Sequence, residues 1–228
     1  MQLLEFDNRS DAAQAAGRRI ASALHRRLEH NERASLIVSG GSSPAPVYAY
    51  LSHKELAWHR VDVLLSDERW VPPEHPDSNE KMLRESLAVS RARYAKIVSY
   101  FDPACSLESR CASLNKEIEE LPQPFAGALL GMGTDGHFAS LFPDADNVQD
   151  GLDLEGGASF LPVHTPSSPY PRLSMTLAAL LRSDEILLLI FGAEKRARLE
   201  EAIATDSDLP VAHLLRQECV PVFTFWAP

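Results

Sequence analysis

The chain has only three cysteines in 228 residues, Cys105, Cys111 and Cys219, and none of them stands in a CxxC spacing. An odd, scattered set excludes a disulfide framework and a structural zinc site, and it predicts a reducing compartment, the cytoplasm. Positive charge is scarce as well: 22 Lys and Arg stand against 32 Asp and Glu, a formal net charge of −10. A protein that coats nucleic acid needs the opposite balance, so no nucleic-acid partner is expected. Long apolar runs are missing. The longest, Ile186 to Phe191, falls far short of the roughly 20 residues that cross a bilayer, and Met1-Gln2-Leu3-Leu4-Glu5 offers neither a basic start nor an apolar stretch. No membrane partner and no signal peptide are expected. The GxSxG, GxGxxG and Walker patterns are absent too, which argues against a nucleophile-elbow hydrolase, an NAD enzyme and a P-loop protein. His53, His59 and His75 are scattered, so no metal is expected.

What is present is an ordinary globular composition, 45% hydrophobic and 24% charged, without repeats, low-complexity tracts or a compositional break. One domain over residues 1–228 follows. Asp7 and Asn8 can cap a helix whose apolar face is Ala16, Ile20, Ala23, Leu24 and Leu28, with the Arg18-Arg19 and Arg26-Arg27 pairs on or beside the wet side. Short apolar runs then read as strands: Leu36 to Val38, Val61 to Leu65, Ala95 to Phe101, Ala126 to Leu130, Glu185 to Phe191 and Val220 to Phe225. Segments with helical spacing alternate with them, namely Pro44 to Leu51, Asn79 to Leu87, Leu107 to Leu121, Ser174 to Leu181, Glu194 to Ala204 and Pro210 to Leu215. Alternation of this kind predicts an α/β fold, a mostly parallel sheet with helices on both faces. Pro143 to Arg172 lacks periodicity and reads as a long, mobile loop bordering a site, its acidic residues turned to water.

Ligands of such sheets bind beyond the carboxyl ends of the strands, which directs attention to the residues after each run. Ser39-Gly40-Gly41-Ser42-Ser43-Pro44 can aim backbone N–H groups at an anion, with Ser43 as an N-cap and Pro44 at the first helical position. The same turn also serves as a bare strand-to-helix connection. Asp67-Glu68-Arg69-Trp70 follows the Val61 run, where charges are most often simply solvated. Gly131-Met132-Gly133-Thr134-Asp135-Gly136-His137 surrounds one carboxylate and one imidazole with glycine, which opens the backbone to a close ligand. Histidine exchanges protons near neutral pH, so His137 is a candidate general base, although a lone histidine is more often structural. Arg69, Arg172 and Lys195 place three cations at candidate ligand ends of an acidic chain. That suits a small phosphorylated substrate.

In order and spacing these clusters resemble the 6-phosphogluconolactonase family, within the superfamily it shares with glucosamine-6-phosphate isomerases. The matching segments are SGGSSP at 39–44, DERWVP at 67–72, DSN at 77–79, LGMGTDGHFASLFP at 130–143, PRLSMT at 171–176, and Gly192 with Lys195. The family has threonine where Ser43 stands. The resemblance implies a Rossmann-like α/β fold shared with sugar-phosphate isomerases, and hydrolysis of 6-phospho-D-glucono-1,5-lactone to 6-phospho-D-gluconate in the oxidative pentose phosphate pathway without a cofactor; a monomer or weak homodimer is expected. The site residues it implies are His137 as base, Asp135 orienting it or holding a substrate hydroxyl, and Gly40, Gly41, Ser42, Asp67, Arg69, Arg172 and Lys195 around the substrate and its phosphate. Glucosamine-6-phosphate deaminases are similar in the GxGxDGH block, but they continue to a proton-exchanging glutamate. Phe142 stands in that place here. The other alternative is a non-catalytic sugar-phosphate-binding regulator, which would keep the cations and have little use for His137.

Overall fold

The computed structural model describes residues 1–204 and 206–228. Seven strands, β1 (Gln2–Glu5), β2 (Ala34–Val38), β3 (Val61–Leu65), β5 (Lys96–Ile97), β6 (Ala128–Leu130), β9 (Ile186–Phe191) and β10 (Val222–Ala227), form one sheet in the order β1-β10-β9-β6-β2-β3-β5. Every neighbouring pair in it is parallel. The interior strands β2, β3 and β6 are buried along their whole length. Burial of successive side chains, which point to opposite faces, requires cover on both sides of the sheet.

Helices α1 (Arg9–His30), α2 (Ala45–Ser52), α3 (Asn79–Ser86), α4 (Leu107–Glu117), α7 (Ala193–Ile203) and α8 (Pro210–Arg216) lie close to the predicted segments. Asn8 caps α1 by accepting from the Asp11 N–H at 2.9 Å, and Ala16, Ile20, Ala23, Leu24 and Leu28 are buried as the spacing requires. Arg19 and Arg27 leave the wet face for ion pairs with Glu185 and Asp184. The expected cap of α2 differs. Its N-cap is Pro44, in helical backbone and without a side-chain bond, so Ser43 precedes the helix.

Two expectations are corrected. Residues 143–172 are not one structureless loop, because α5 (Val148–Leu152) and β7 (Phe160–Val163) lie within them. The segment from Ser174 does not begin a helix: Ser174 sits in β8 (Arg172–Met175), Thr176 caps α6 (Leu177–Leu180), and only then does the chain turn helical. With β4 (Asp67–Arg69), strands β7 and β8 form a separate antiparallel sheet in the order β4-β8-β7. Pro162 stands inside β7, and its missing N–H is tolerated on an edge strand, which is where β7 lies. The acidic residues Asp144, Asp146, Asp150, Asp153 and Glu155 are exposed.

From β2 the chain steps outward to β3 and β5, and from β6 it steps the other way to β9 and β10. The order therefore reverses between β2 and β6, which pair directly. A crevice opens where the strand order reverses. The glycine-rich turns after β2 and β6 face one another across it.

Candidate active site

A cavity of about 310 Å³ lies at this reversal. Its wall includes Ser39 to Pro44 from the β2 turn, Gly131 to Gly133 and His137 from the β6 turn, Asp67 and Arg69 of β4, Arg172 of β8 and Lys195 of α7. Of the site residues that the resemblance implies, only Asp135 is not part of the wall, and it bonds to one that is. A larger cleft of about 730 Å³ between α5 and the α7–α8 connection has no histidine and no cation among its described lining residues. Size alone does not make it the reactive centre.

The β6 turn is closed by the Gly133 N–H bonding to the His137 carbonyl at 2.9 Å and the Gly136 N–H bonding to the Gly133 carbonyl at 3.1 Å. Inside it, His137 Nδ1 lies 2.6 Å from Asp135 Oδ1, which also accepts from the His137 backbone N–H at 3.2 Å. Partial burial pushes the Asp135 carboxyl up, but the hydrogen bonds and charge of His137 outweigh it and hold the group below the ordinary carboxylate range. An ionised carboxylate only accepts, so Nδ1 carries a proton, and in the neutral ring the lone pair is then on Nε2. The ring is flanked by Phe142, with centroids 4.2 Å apart. At Gly133 a Cβ would fall 2.3 Å from both Asp135 Oδ1 and His137 Nδ1, so only glycine leaves room for the pair. Ala139, in the cavity wall, has φ of 49°, a left-handed conformation that costs a non-glycine residue roughly 1–3 kcal/mol and tends to mark functional turns.

Arg69 and Arg172 are directly opposite in the β4–β8 register, which puts both side chains on one face. Arg172 Nη1 reaches Asp67 Oδ2 and Ser140 Oγ, each at 3.4 Å, its Nε donates to Ser168 Oγ at 2.9 Å, and its guanidinium lies 5.1 Å from the Phe142 ring centroid. Burial, with Arg69 alongside, pulls the Arg172 guanidinium below its ordinary range against the opposing pull of Asp67. Asp67 is itself committed: Ser140 Oγ donates to its Oδ2 at 2.5 Å and Ser66 Oγ to its Oδ1 at 3.1 Å. Lys195 stands in the first turn of α7, and burial lowers its ammonium below the ordinary range despite Glu194 and Asp135. Across the cavity, Gly41 has φ of 89° and open space in front of its Cα, and the N–H groups of Gly40, Gly41 and Ser42 have no acceptor among the described residues. Three N–H groups without acceptors, two arginines and a lysine around one cavity form an arrangement suited to an anion.

Asn79, which lines the cavity, and Ser140 and Ser168, which bond to Asp67 and Arg172 of its wall, were not among the site residues singled out in the sequence. Asn79 Nδ2 donates to the Asp67 carbonyl at 2.8 Å, and its Oδ1 accepts from Arg69 Nη1. The DSN segment at 77–79 was the available signal, since a capping sequence directly after a charged strand end places a helix N-terminus against those charges. No group of three His, Cys, Asp or Glu able to hold a metal is found among the described residues.

Residues 7–223 match the family described as glucosamine-6-phosphate isomerases/6-phosphogluconolactonase. The chain belongs to this family. The matched span contains every residue of the cavity wall. Among relatives, a 6-phosphogluconolactonase of Mesorhizobium japonicum is 38% identical over 98% of this chain and 94% of its own length, and one of Pseudomonas aeruginosa is 38% identical over 96% and 92%. A solved 6-phosphogluconolactonase from Shewanella baltica superposes with a TM-score of 0.95 at 31% identity, covering 100% of this chain and 98% of that one. A monomeric glucosamine-6-phosphate deaminase, at 19% identity and a TM-score of 0.72, shares the fold of the family. No helix among the described residues is long and apolar enough to cross a membrane.

Proposed function

We propose that this chain hydrolyses 6-phospho-D-glucono-1,5-lactone to 6-phospho-D-gluconate, the reaction for which its full-length relatives are named. The observation that carries the reading is a histidine fixed through Nδ1 by Asp135, with Nε2 left free, in the same small cavity as three cations. Arg69, Arg172 and Lys195 hold the phosphate, and the N–H groups of Gly40 to Ser42 approach the sugar or its phosphate. Asp67 supports Arg172 through the bonds described above.

Neutral His137 takes a proton at Nε2 from a water as the water oxygen attacks the lactone C1 carbonyl. The carbonyl π electrons move onto oxygen, giving a tetrahedral oxyanion. When the carbonyl re-forms, the bond from C1 to the ring oxygen breaks, and the imidazolium returns its proton to that oxygen. A lactone is already an activated acyl group, so a positioned base and a few donors suffice. In place of the deaminase glutamate stands Phe142, buried and packed on the His137 ring, which offers no group to move protons on an amino sugar.

Turnover of the phosphorylated lactone, with its spontaneous hydrolysis subtracted, is expected with no ammonia released from glucosamine 6-phosphate. Deamination of the latter, or calorimetric binding of both sugars with turnover of neither, would overturn the reading. Gly133→Ala puts a methyl group into the Asp135–His137 contact. It is expected to lower kcat by about 10²-fold, the lower part of what general-base catalysis contributes, with phosphate competition retained. A kcat near wild type would show that the contact is dispensable.

A further inference from the structure

At the end of β3 the chain turns into a strand whose middle residue is not solvated at all. Glu68 is 2% exposed, and four donors converge on its carboxylate. Oε1 accepts from the backbone N–H groups of Arg69 at 2.7 Å and Asn79 at 2.8 Å, and Oε2 accepts from Glu80 N–H at 2.7 Å and Ser78 Oγ at 3.0 Å. Asn79 and Glu80 open α3, so the carboxylate sits on the positive end of that helix and satisfies N–H groups that have no partner within it. Burial holds this carboxyl above its ordinary range, and the four donated bonds oppose that rise without cancelling it. With every lone-pair direction met by a donor, the group is present as the carboxylate.

None of that acceptor capacity is spent on a guanidinium. Glu68 bonds to the backbone of Arg69, not to its side chain, while the Arg69 Nη1 rests on the Asn79 side chain and on the Asp77 carbonyl at 3.1 Å. Asn79 in turn lies directly against Gly40, where a Cβ would fall 1.9 Å from its Oδ1. One buried carboxylate thus joins β4 to the start of α3 and, through Asn79, sets both the Arg69 side chain and the turn that carries the free N–H groups. It also supplies negative charge beneath two adjacent guanidiniums without occupying the face on which they would meet an anion.

We propose that Glu68 is a positioning residue for the phosphate subsite, holding Arg69 and Asn79 in place through the N-terminus of α3 while leaving the arginine free for the substrate. This rests on the phosphate role given above to Arg69. Glu68→Gln keeps the volume but turns an amide NH₂ toward donors on either side, so at least one of the four bonds is lost. The expected result is a rise of about tenfold in KM for the phosphorylated lactone and in the competitive Ki of inorganic phosphate, the scale of one charge-assisted hydrogen bond. kcat, and kcat/KM for unphosphorylated gluconolactone, stay within about threefold of wild type. Ser78→Ala, which removes one of the four donors to Glu68 and leaves the cavity wall intact, is expected to show the same split at a smaller size and serves if Glu68→Gln does not fold.

Equal losses on both lactones, or an unchanged phosphate Ki in a folded variant, would overturn the positioning role. Wild-type enzyme with no phosphate competition and no preference for the phosphorylated lactone would overturn the phosphate reading itself, and the positioning role with it. Competition in wild type with no change in the variants overturns the positioning role alone.

Discussion

His137→Asn is expected to lower kcat for the phosphorylated lactone by about 10²–10⁴-fold, the range that a positioned general base contributes, while product affinity stays near wild type. Asparagine fills part of the ring volume and can bond to Asp135, but it has no lone pair that accepts a proton from water, so the loss falls on the chemical step. The wild-type rate should fall toward acid pH as the base takes up a proton. Asp135→Asn removes the carboxylate that holds Nδ1 at 2.6 Å and with it the fixed tautomer and orientation of the ring, so kcat is expected to fall with phosphate competition retained. Because Asp135 is held below the ordinary carboxylate range, it stays ionised across the acid limb and adds no second titration there. A His137→Asn enzyme with near wild-type kcat and the same acid limb would require another base.

Lys195→Ala is expected to reduce kcat/KM for the phosphorylated lactone by about ten- to a hundredfold, the worth of one charge-assisted hydrogen bond of roughly 1.5–3 kcal/mol. Unphosphorylated gluconolactone should be nearly unaffected. The lysine is a clean probe because it has no hydrogen bond or ion pair among the described residues, so its removal strands no partner. Arg172→Ala should cost as much in selectivity and some stability besides, since it leaves the buried Asp67 carboxylate and Ser140 without their guanidinium. Burial keeps the Lys195 ammonium below its ordinary range, so its charge is lost on the alkaline side sooner than that of an exposed lysine. The competitive Ki of inorganic phosphate should rise there in wild type and rise less in Lys195→Ala. Equal losses on both lactones would remove Lys195 from the phosphate subsite.

The parallel sheet was legible because its strands are buried on both faces and read as short continuous apolar runs, and because glycine-rich or charged residues stop β2, β3 and β6 at their ligand ends. The turn holding Asp135 and His137 was legible for the same reason. The β4-β8-β7 sheet was not. Its strands are short, one contains Pro162, and the pairing of Arg69 with Arg172 joins segments far apart in the chain. Sequence therefore supplied the cations without showing that two of them are neighbours. Glu68 was hidden by its company: between Asp67 and Arg69 it reads as one of several solvated charges, and only the docking of α3 onto β4 brings four donors to it. Gln2–Glu5 escaped notice as a strand because half of its side chains are exposed and its partner, β10, is the last strand of the sheet.

The most direct test follows decay of 6-phospho-D-glucono-1,5-lactone by NMR in buffer, with wild-type protein, and with His137→Asn at the same concentration. The account predicts decay with wild-type protein far faster than in buffer, ending in 6-phospho-D-gluconate, with His137→Asn close to the uncatalysed rate. Decay in the presence of wild-type protein at the buffer rate would contradict it.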